Sequence, residues 1–269
     1  MHSTIRLVAI DLDDTLLRDD NTISEYTHEV LLKAQNAGYT VLIATGRMYQ
    51  TAKPVGVTLG IGDVPMVLFS GGLIQRIASG EKLWESTIPE ATAHQILALA
   101  KEYDWYIQSY IDDVLYVHHE TDFSHEYEAK TGATATYVGD RIYTQPGCPN
   151  KLLIIENPDC LNAIQQELAV RMGDAVEIVR SKVNFLEINA PNTSKALAVE
   201  RMAQSLGLTA ENVVAFGNSE NDISMLRYAG KAIAVANAED PVKAVADVVC
   251  GANNEDGVAH WIEEQLLAN

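Results

Sequence analysis

Asp11 and Asp13 stand one residue apart in Asp11-Leu12-Asp13-Asp14-Thr15, directly after the apolar run Leu7-Val8-Ala9-Ile10. Successive side chains of an extended segment alternate faces, so these two carboxylates share one side wherever strand geometry persists. A pair so placed can bind a hard cation such as Mg²⁺ through oxygen. One member can also attack an electrophile while the other moves protons, which is the chemistry of a covalent aspartyl enzyme. A strand-ending Asx turn or a helix N-cap is the competing account of the same five residues.

Three further groups carry usable chemistry. In Thr45-Gly46-Arg47, a hydroxyl and a close-approaching backbone N–H can hold a phosphoryl oxygen near a helix N-terminus, or Thr45 simply caps that helix. Lys195 follows Ser194 at an expected helix start, where a cation opposes the helix dipole unless an anion sits beside it. Asn218, Asn221 and Asp222 crowd oxygen donors into the segment Gly217–Asp222. That set suits Mg²⁺, which takes few protein carboxylates and keeps waters, although an Asx-rich turn would use the same residues.

The elements that must position these groups alternate in type. Leu7–Ile10, Thr40–Ala44 and Met66–Phe69 read as buried strands, with helices near Ser24–Ala37 and Met48–Leu59 between them. This order predicts an α/β fold with a doubly wound parallel sheet. From Trp84 the chain turns richer in Tyr and His, with short strand-like pieces at Tyr106–Tyr110, Leu115–His118 and Leu152–Glu156. Helical stretches near Glu90–Tyr103 and Pro158–Met172 accompany them, so an inserted α+β domain is expected. The first pattern returns with strands at Phe185–Ile188, Val213–Phe216, Ala232–Ala236 and Asp247–Cys250. The expected plan is a Rossmann-like core from residues 1–83 and 185–269, interrupted by the insert at 84–184. Parallel strands put their carboxyl ends on one edge, where Asp11–Thr15, Thr45–Arg47 and Gly217–Asp222 would converge.

Composition narrows the function classes. The apolar fraction is 47% and the formal net charge is −18. Diffuse acidity argues against nucleic acid, which needs clustered Lys and Arg, but a local cationic pocket can still take a small anion. Cys148, Cys160 and Cys250 are scattered and odd in number, as free thiols of a reducing compartment are. No run approaches the roughly 18 apolar residues of a membrane span, and Met1 to Asp11 is too short in apolar residues for a cleavable signal. The expectation is a cytoplasmic protein, monomer or homodimer, acting on a small molecule and touching neither membrane nor nucleic acid.

Taken in order, Val8–Leu17, Ile43-Ala44-Thr45-Gly46-Arg47, Leu186-Glu187-Ile188 before Lys195, and Gly217–Asp222 continuing to Leu226 resemble the four motifs of the haloacid dehalogenase-like hydrolases. Their extended forms, with Gly257-Val258-Ala259, are similar to the Cof-type branch. The resemblance implies a Mg²⁺-dependent phosphatase of small phosphorylated metabolites, such as sugar phosphates, flavin mononucleotide or pyridoxal phosphate. It implies that the insert is a cap that selects substrate. It implies Asp11 as nucleophile forming an aspartyl-phosphate, and Asp13 as the acid and base. Thr45, Gly46, Arg47, Ser70, Gly71, Lys195 and Asn221 would hold the substrate, with Thr45 and Lys195 on the phosphoryl oxygens. Asp11, Asp13, Asn218 and Asp222 would serve the metal.

Two departures bear on this. Asn218 stands where the family usually has Asp, so that ligand carries no charge. Ser70-Gly71 stands where Asn-Gly is common, replacing an amide by a shorter hydroxyl. A phosphomutase or phosphotransferase would share the aspartyl-phosphate, and a non-catalytic sensor of phosphorylated metabolites would tolerate Asn218. Within the insert, His118, His119 and His125 receive no assignment, and Trp105, Tyr106, Tyr110 and Tyr116 are expected to pack. Asn184 and Asn192 lie near the return to the core, within reach of a ligand.

Overall fold

The computed structural model describes residues 4–268. Among these residues the strands form two sheets, numbered here in chain order. The larger sheet runs β14 (Val248–Val249), β13 (Lys231–Ala234), β12 (Val213–Gly217), β1 (Leu7–Ile10), β2 (Thr40–Ala44), β3 (Pro65–Leu68), β4 (Leu73–Arg76), β5 (Lys82–Glu85). Pairing is parallel from β14 to β3 and antiparallel at β4 and β5. β1 is flanked by β12 and β2, with Leu7 opposite both Val213 and Thr40. All four of its side chains are buried, which is why the sequence shows an unbroken apolar run.

Helices cross between the parallel strands. α1 (Glu25–Asn36) is capped by Ser24, whose side chain accepts from the Thr27 N–H, and α2 (Tyr49–Thr58) follows β2. α6 (Lys195–Ser205) is capped by Ser194, and α7 (Ile223–Tyr228) packs against it. α8 (Asp240–Lys243) and α9 (Gly257–Ile262) close the chain, with α9 against α1. Among the described residues no helix is long and apolar enough to cross a membrane.

The smaller sheet runs β10 (Glu177–Lys182), β11 (Phe185–Asn189), β9 (Lys151–Ile155), β6 (Ile107–Ile111), β7 (Val114–Val117), β8 (Ala135–Tyr137). Its two faces differ. Leu152, Ile154, Leu186 and Ile188 pack on one side with α3 (Glu90–Glu102) and α5 (Pro158–Met172), through Ile96, Leu161 and Leu168. Tyr110, Leu115, Leu153 and Ile155 face the other way and join the core of the larger sheet. α4 (Asp122–Thr131) lies on this inner side, where Tyr127 meets Tyr110 edge-on at 6.4 Å and Phe185 at 5.8 Å.

The expected boundaries shift. Residue 84 falls inside β5, which pairs with β4 in the larger sheet. At the return, Phe185–Asn189 pairs antiparallel with β9 and β10, so the smaller sheet extends to Asn189. An apolar run of that length reads alike for a strand of either sheet, and periodicity alone could not decide its partner. The antiparallel hairpin of β4 and β5 adds two strands beyond those read from the sequence.

Candidate active site

The carboxyl ends of β1, β2, β3 and β12 meet at one edge of the larger sheet. Strand geometry stops at Ile10: the chain enters a tight irregular turn over Leu12–Leu16, with Asp14 at φ 57°. Asp11 and Asp13 nevertheless line one cavity, of about 280 Å³. Their carboxylates are held by different cations.

Lys195 Nζ donates to Asp11 Oδ1 at 2.5 Å and to Asp222 Oδ1 at 2.6 Å, and all three side chains are buried. The cation opposing the dipole of α6 thus has two anions beside it. Asp222 Oδ2 accepts from the backbone N–H groups of Asn218 (2.9 Å) and Ser219 (3.0 Å), which shapes the loop after β12. Burial and the Asp222 charge push the Asp11 carboxyl up to about 7, against the pull of Lys195. The Lys195 ammonium is itself held above its ordinary range: burial lowers it, and Asp11 and Asp222 more than offset that.

Arg47 forks onto Asp13, donating from Nε at 3.0 Å and from Nη2 at 2.7 Å, and Nη2 also reaches Asn21 Oδ1 at 3.2 Å. Burial pushes the Asp13 carboxyl up, but the Arg47 contacts outweigh it and leave it below the usual range. In this arrangement Asp13 is an anion.

The expected residues occupy two depths. Gly46, Arg47, Asn218 and Asn221 line the cavity with Asp11 and Asp13. Thr45, Lys195 and Asp222 are buried behind them, with the Thr45 hydroxyl accepting from the Arg47 N–H at 3.1 Å. The Asn218 amide oxygen accepts from the Thr15 hydroxyl at 3.0 Å. Ser70 and Gly71 also stand behind Gly46, outside the cavity lining. The Ser70 hydroxyl is committed, donating to Glu187 Oε2 at 2.7 Å.

Phe69, Ser70 and Gly71 have φ of 49°, 54° and 112°, a left-handed run that only glycine adopts without strain. A Cβ on Gly71 would lie 2.3 Å from the Ser194 carbonyl oxygen, against the start of α6. Gly71→Ala is therefore expected to destabilise the fold by on the order of 2–3 kcal/mol. Thermal unfolding reads this as a fall of several degrees in midpoint, and an unchanged midpoint would refute it.

Further walls come from the smaller sheet and its neighbours, among them Tyr127, Lys130, Lys151, Lys182, Asn184, Phe185 and Glu187. Of the two asparagines near the return, Asn184 lines this cavity and Asn192 does not. Among the histidines of the insert, His118 is bonded to Asp140, and none of His118, His119 and His125 lines the cavity. Trp105 and Tyr106 pack as expected, and Tyr110 is buried against Phe69 at 5.9 Å. Lys151 and Glu187 had no assigned role. They sit far apart in the chain and meet only through the register of β9 and β11, a relation without a local sequence signal.

Fold and site together define a sheet-edge carboxylate enzyme. Over residues 8–262 the chain matches the family model described as haloacid dehalogenase-like hydrolase, and the chain belongs to that family. Its branch is the Cof-type one, and it is a phosphoric monoester hydrolase. It is 33% identical over 96% of its length to a Bacillus subtilis 5-amino-6-(5-phospho-D-ribitylamino)uracil phosphatase, 96% of which is covered. It is 29% identical over 98% of its length to the Escherichia coli pyridoxal phosphate phosphatase, which is covered completely at 100%. A haloacid dehalogenase-like hydrolase from Bacteroides thetaiotaomicron superposes with a TM-score of 0.87 at 27% identity, over 97% of this chain and 99% of that one.

Proposed function

We propose that this phosphatase hydrolyses a small phosphorylated metabolite through an aspartyl-phosphate on Asp11, with Mg²⁺ as cofactor. The observation that carries the reading is the convergence of Asp11, Asp13, Arg47 and Lys195 on one cavity edge. Asp11 attacks phosphorus in line, and the bond to the leaving oxygen breaks as Asp13 hands that oxygen a proton. Asp13 then takes a proton from water, whose oxygen attacks the phosphorus of the aspartyl-phosphate and returns Asp11 as a carboxylate. Positioning and charge neutralisation are most of what such a transfer needs.

Arg47 serves both states of Asp13. While paired, it keeps Asp13 anionic and ready to act as base. An entering phosphoryl group competes for the same guanidinium fork, which frees Asp13 to take up the proton it delivers. Lys195 holds Asp11 in place and offsets the charge gathering on the phosphoryl oxygens, while Gly46 and Asn221 border them and Thr45 braces the Arg47 N–H from behind.

The donor set fits a Mg²⁺ ion. Asp11 and Asn218 face the same cavity, and the Asn218 amide oxygen takes one hydrogen bond, leaving a lone pair. Asp11, the Asp13 backbone carbonyl and Asn218 would hold the ion, with water and substrate completing its shell. Asp222, with both oxygens bonded inside the protein, braces that loop rather than facing the cavity. When bound, Mg²⁺ supplies the positive charge that one carboxylate and one amide lack.

The smaller sheet acts as the cap. Lys130, Lys182, Asn184 and Phe185 from it and its neighbours border the cavity that Asp11 lines and would contact the leaving group. A volume of about 280 Å³ suits a metabolite of sugar-phosphate or phosphorylated-cofactor size. The names of the two relatives, a ribitylaminouracil phosphatase and a pyridoxal phosphate phosphatase, support that class. A wide panel of phosphomonoesters assayed for released phosphate tests the reading. Hydrolysis with Mg²⁺ that stops with a chelator is expected, and no turnover of any ester with Mg²⁺ would sink it.

A further inference from the structure

We propose that Lys151 and Glu187 are a positioning pair, reaching from the smaller sheet to fix the Gly46 carbonyl and the Ser70 hydroxyl and hence the loops around Asp11. The proposal rests on the phosphatase reading above.

Lys151 and Glu187 lie on β9 and β11, where Lys151 is opposite Asn189 and Glu187 opposite Leu153. They are diagonal neighbours on one face, close enough for long side chains to meet. Their ion pair is 3.2 Å long, with side chains only 3% and 4% exposed. The face around it mixes apolar Leu153 with Tyr110 and the buried amides Gln108 and Asn189, and the Lys151 ammonium lies 4.9 Å from the centre of the Tyr110 ring. Apolar residues of similar volume usually serve stability as well as a buried pair does, so the pair needs another explanation.

That explanation lies in where its atoms point. Lys151 Nζ donates to the Gly46 carbonyl at 2.8 Å, and Glu187 Oε2 accepts from the Ser70 hydroxyl at 2.7 Å. Both targets belong to the larger sheet. Ser70 in turn receives Asn221 Nδ2 at 3.4 Å, and its backbone N–H donates to the Thr45 carbonyl at 3.0 Å. One carboxylate therefore ties the loops after β2, β3 and β12 to the smaller sheet. The fit is close: a Cβ on Gly46 would come within 3.0 Å of Glu187 Oε1 and 3.2 Å of Ser70 Oγ. The left-handed run at Phe69–Gly71 is the kind of backbone that persists only where its surroundings over-determine it, and Glu187 is one of those surroundings.

The test measures kcat and KM for p-nitrophenyl phosphate with Mg²⁺ in the whole protein, for wild type, Glu187→Gln, Ser70→Ala and the two combined. Misplacing a loop by about an ångström costs up to roughly 100-fold. Each single change is expected to lower kcat about 10- to 100-fold, with KM moving much less. The combined variant should fall no further than the worse single, because both changes cut one link. Losses that multiply, or a change confined to KM as a direct substrate contact would give, overturn the proposal.

Lys151→Met with Glu187→Leu removes the pair without leaving a buried charge, and serves if Glu187→Gln fails to fold. It should share the loss in kcat, and wild-type kcat would overturn the proposal. Amide hydrogen exchange at Gly46–Arg47 and Ser70–Gly72 gives a readout independent of turnover. Faster exchange in that double variant is expected, and unchanged exchange counts against the pair whatever the activity. Wild-type protein that turns over no ester would instead remove the phosphatase reading.

Discussion

Asp11→Asn is expected to lower turnover by about 10⁴-fold or more while leaving the fold intact. An amide is far too poor a nucleophile to take the phosphoryl group, and no other carboxylate can substitute from its present place. Asp13 is held by the Arg47 fork, and Asp222 is fully buried with both oxygens bonded. Stability should barely change. Burial and Asp222 already push the Asp11 carboxyl toward its neutral form, so a neutral amide of the same shape is well tolerated there. Its oxygen can still accept from Lys195, which keeps Asp222 as its anion at 2.6 Å. Phosphate release under saturating ester, beside a thermal melt, decides the matter. Activity within tenfold of wild type would remove Asp11 as the nucleophile.

Lys195→Met is expected to damage fold and activity together. It leaves the Asp11 and Asp222 carboxylates buried side by side without their shared cation. Breaking a buried pair by deleting one partner typically costs about 3–5 kcal/mol. In a domain of this size that amounts to a fall on the order of 10 °C in thermal midpoint. Turnover of the folded fraction should fall by about 10²–10³-fold, the scale seen when one preorganised charge-stabilising donor is lost. The melt belongs in chelator, so that no added cation stands in for the lysine. A midpoint within 2–3 °C of wild type, roughly 1 kcal/mol, would show that the cluster does not depend on Lys195.

The contrast between these variants reflects what could be read in the chain. Asp11, Thr45 and Asn218–Asp222 were legible because each follows a buried parallel strand, whose apolar run and abrupt polar end announce an edge position. Lys195 was legible as an anomaly, a cation at the wrong end of a helix, and its two carboxylates resolve it. The family resemblance implies Ser70 as a substrate contact, yet its hydroxyl is spent on Glu187. Glu187 and Lys151 carry no such signal: a charged residue inside an apolar strand gains meaning only when register supplies its partner. The return at Phe185 was misplaced for the same reason, since strand pairing is a property of the fold and not of the segment. The hairpin of β4 and β5 carries little signal because its strands are short and half polar, and β5 is exposed at the sheet edge.

The central position of β1 has a consequence for how the molecule is made. Among the described strands β1 leaves the ribosome before the others, and its partner β12 follows only after the whole smaller sheet. Until then β1 can pair only with β2 on one side, and its other side is an open apolar edge of the kind that invites pairing with foreign chains. The smaller sheet has no such delay, because its strands and helices lie within one continuous stretch. The inserted unit can therefore pair its strands before the larger sheet is complete. The site around Asp11 waits for β12 and the loop after it, because its contacts span a very high sequence separation.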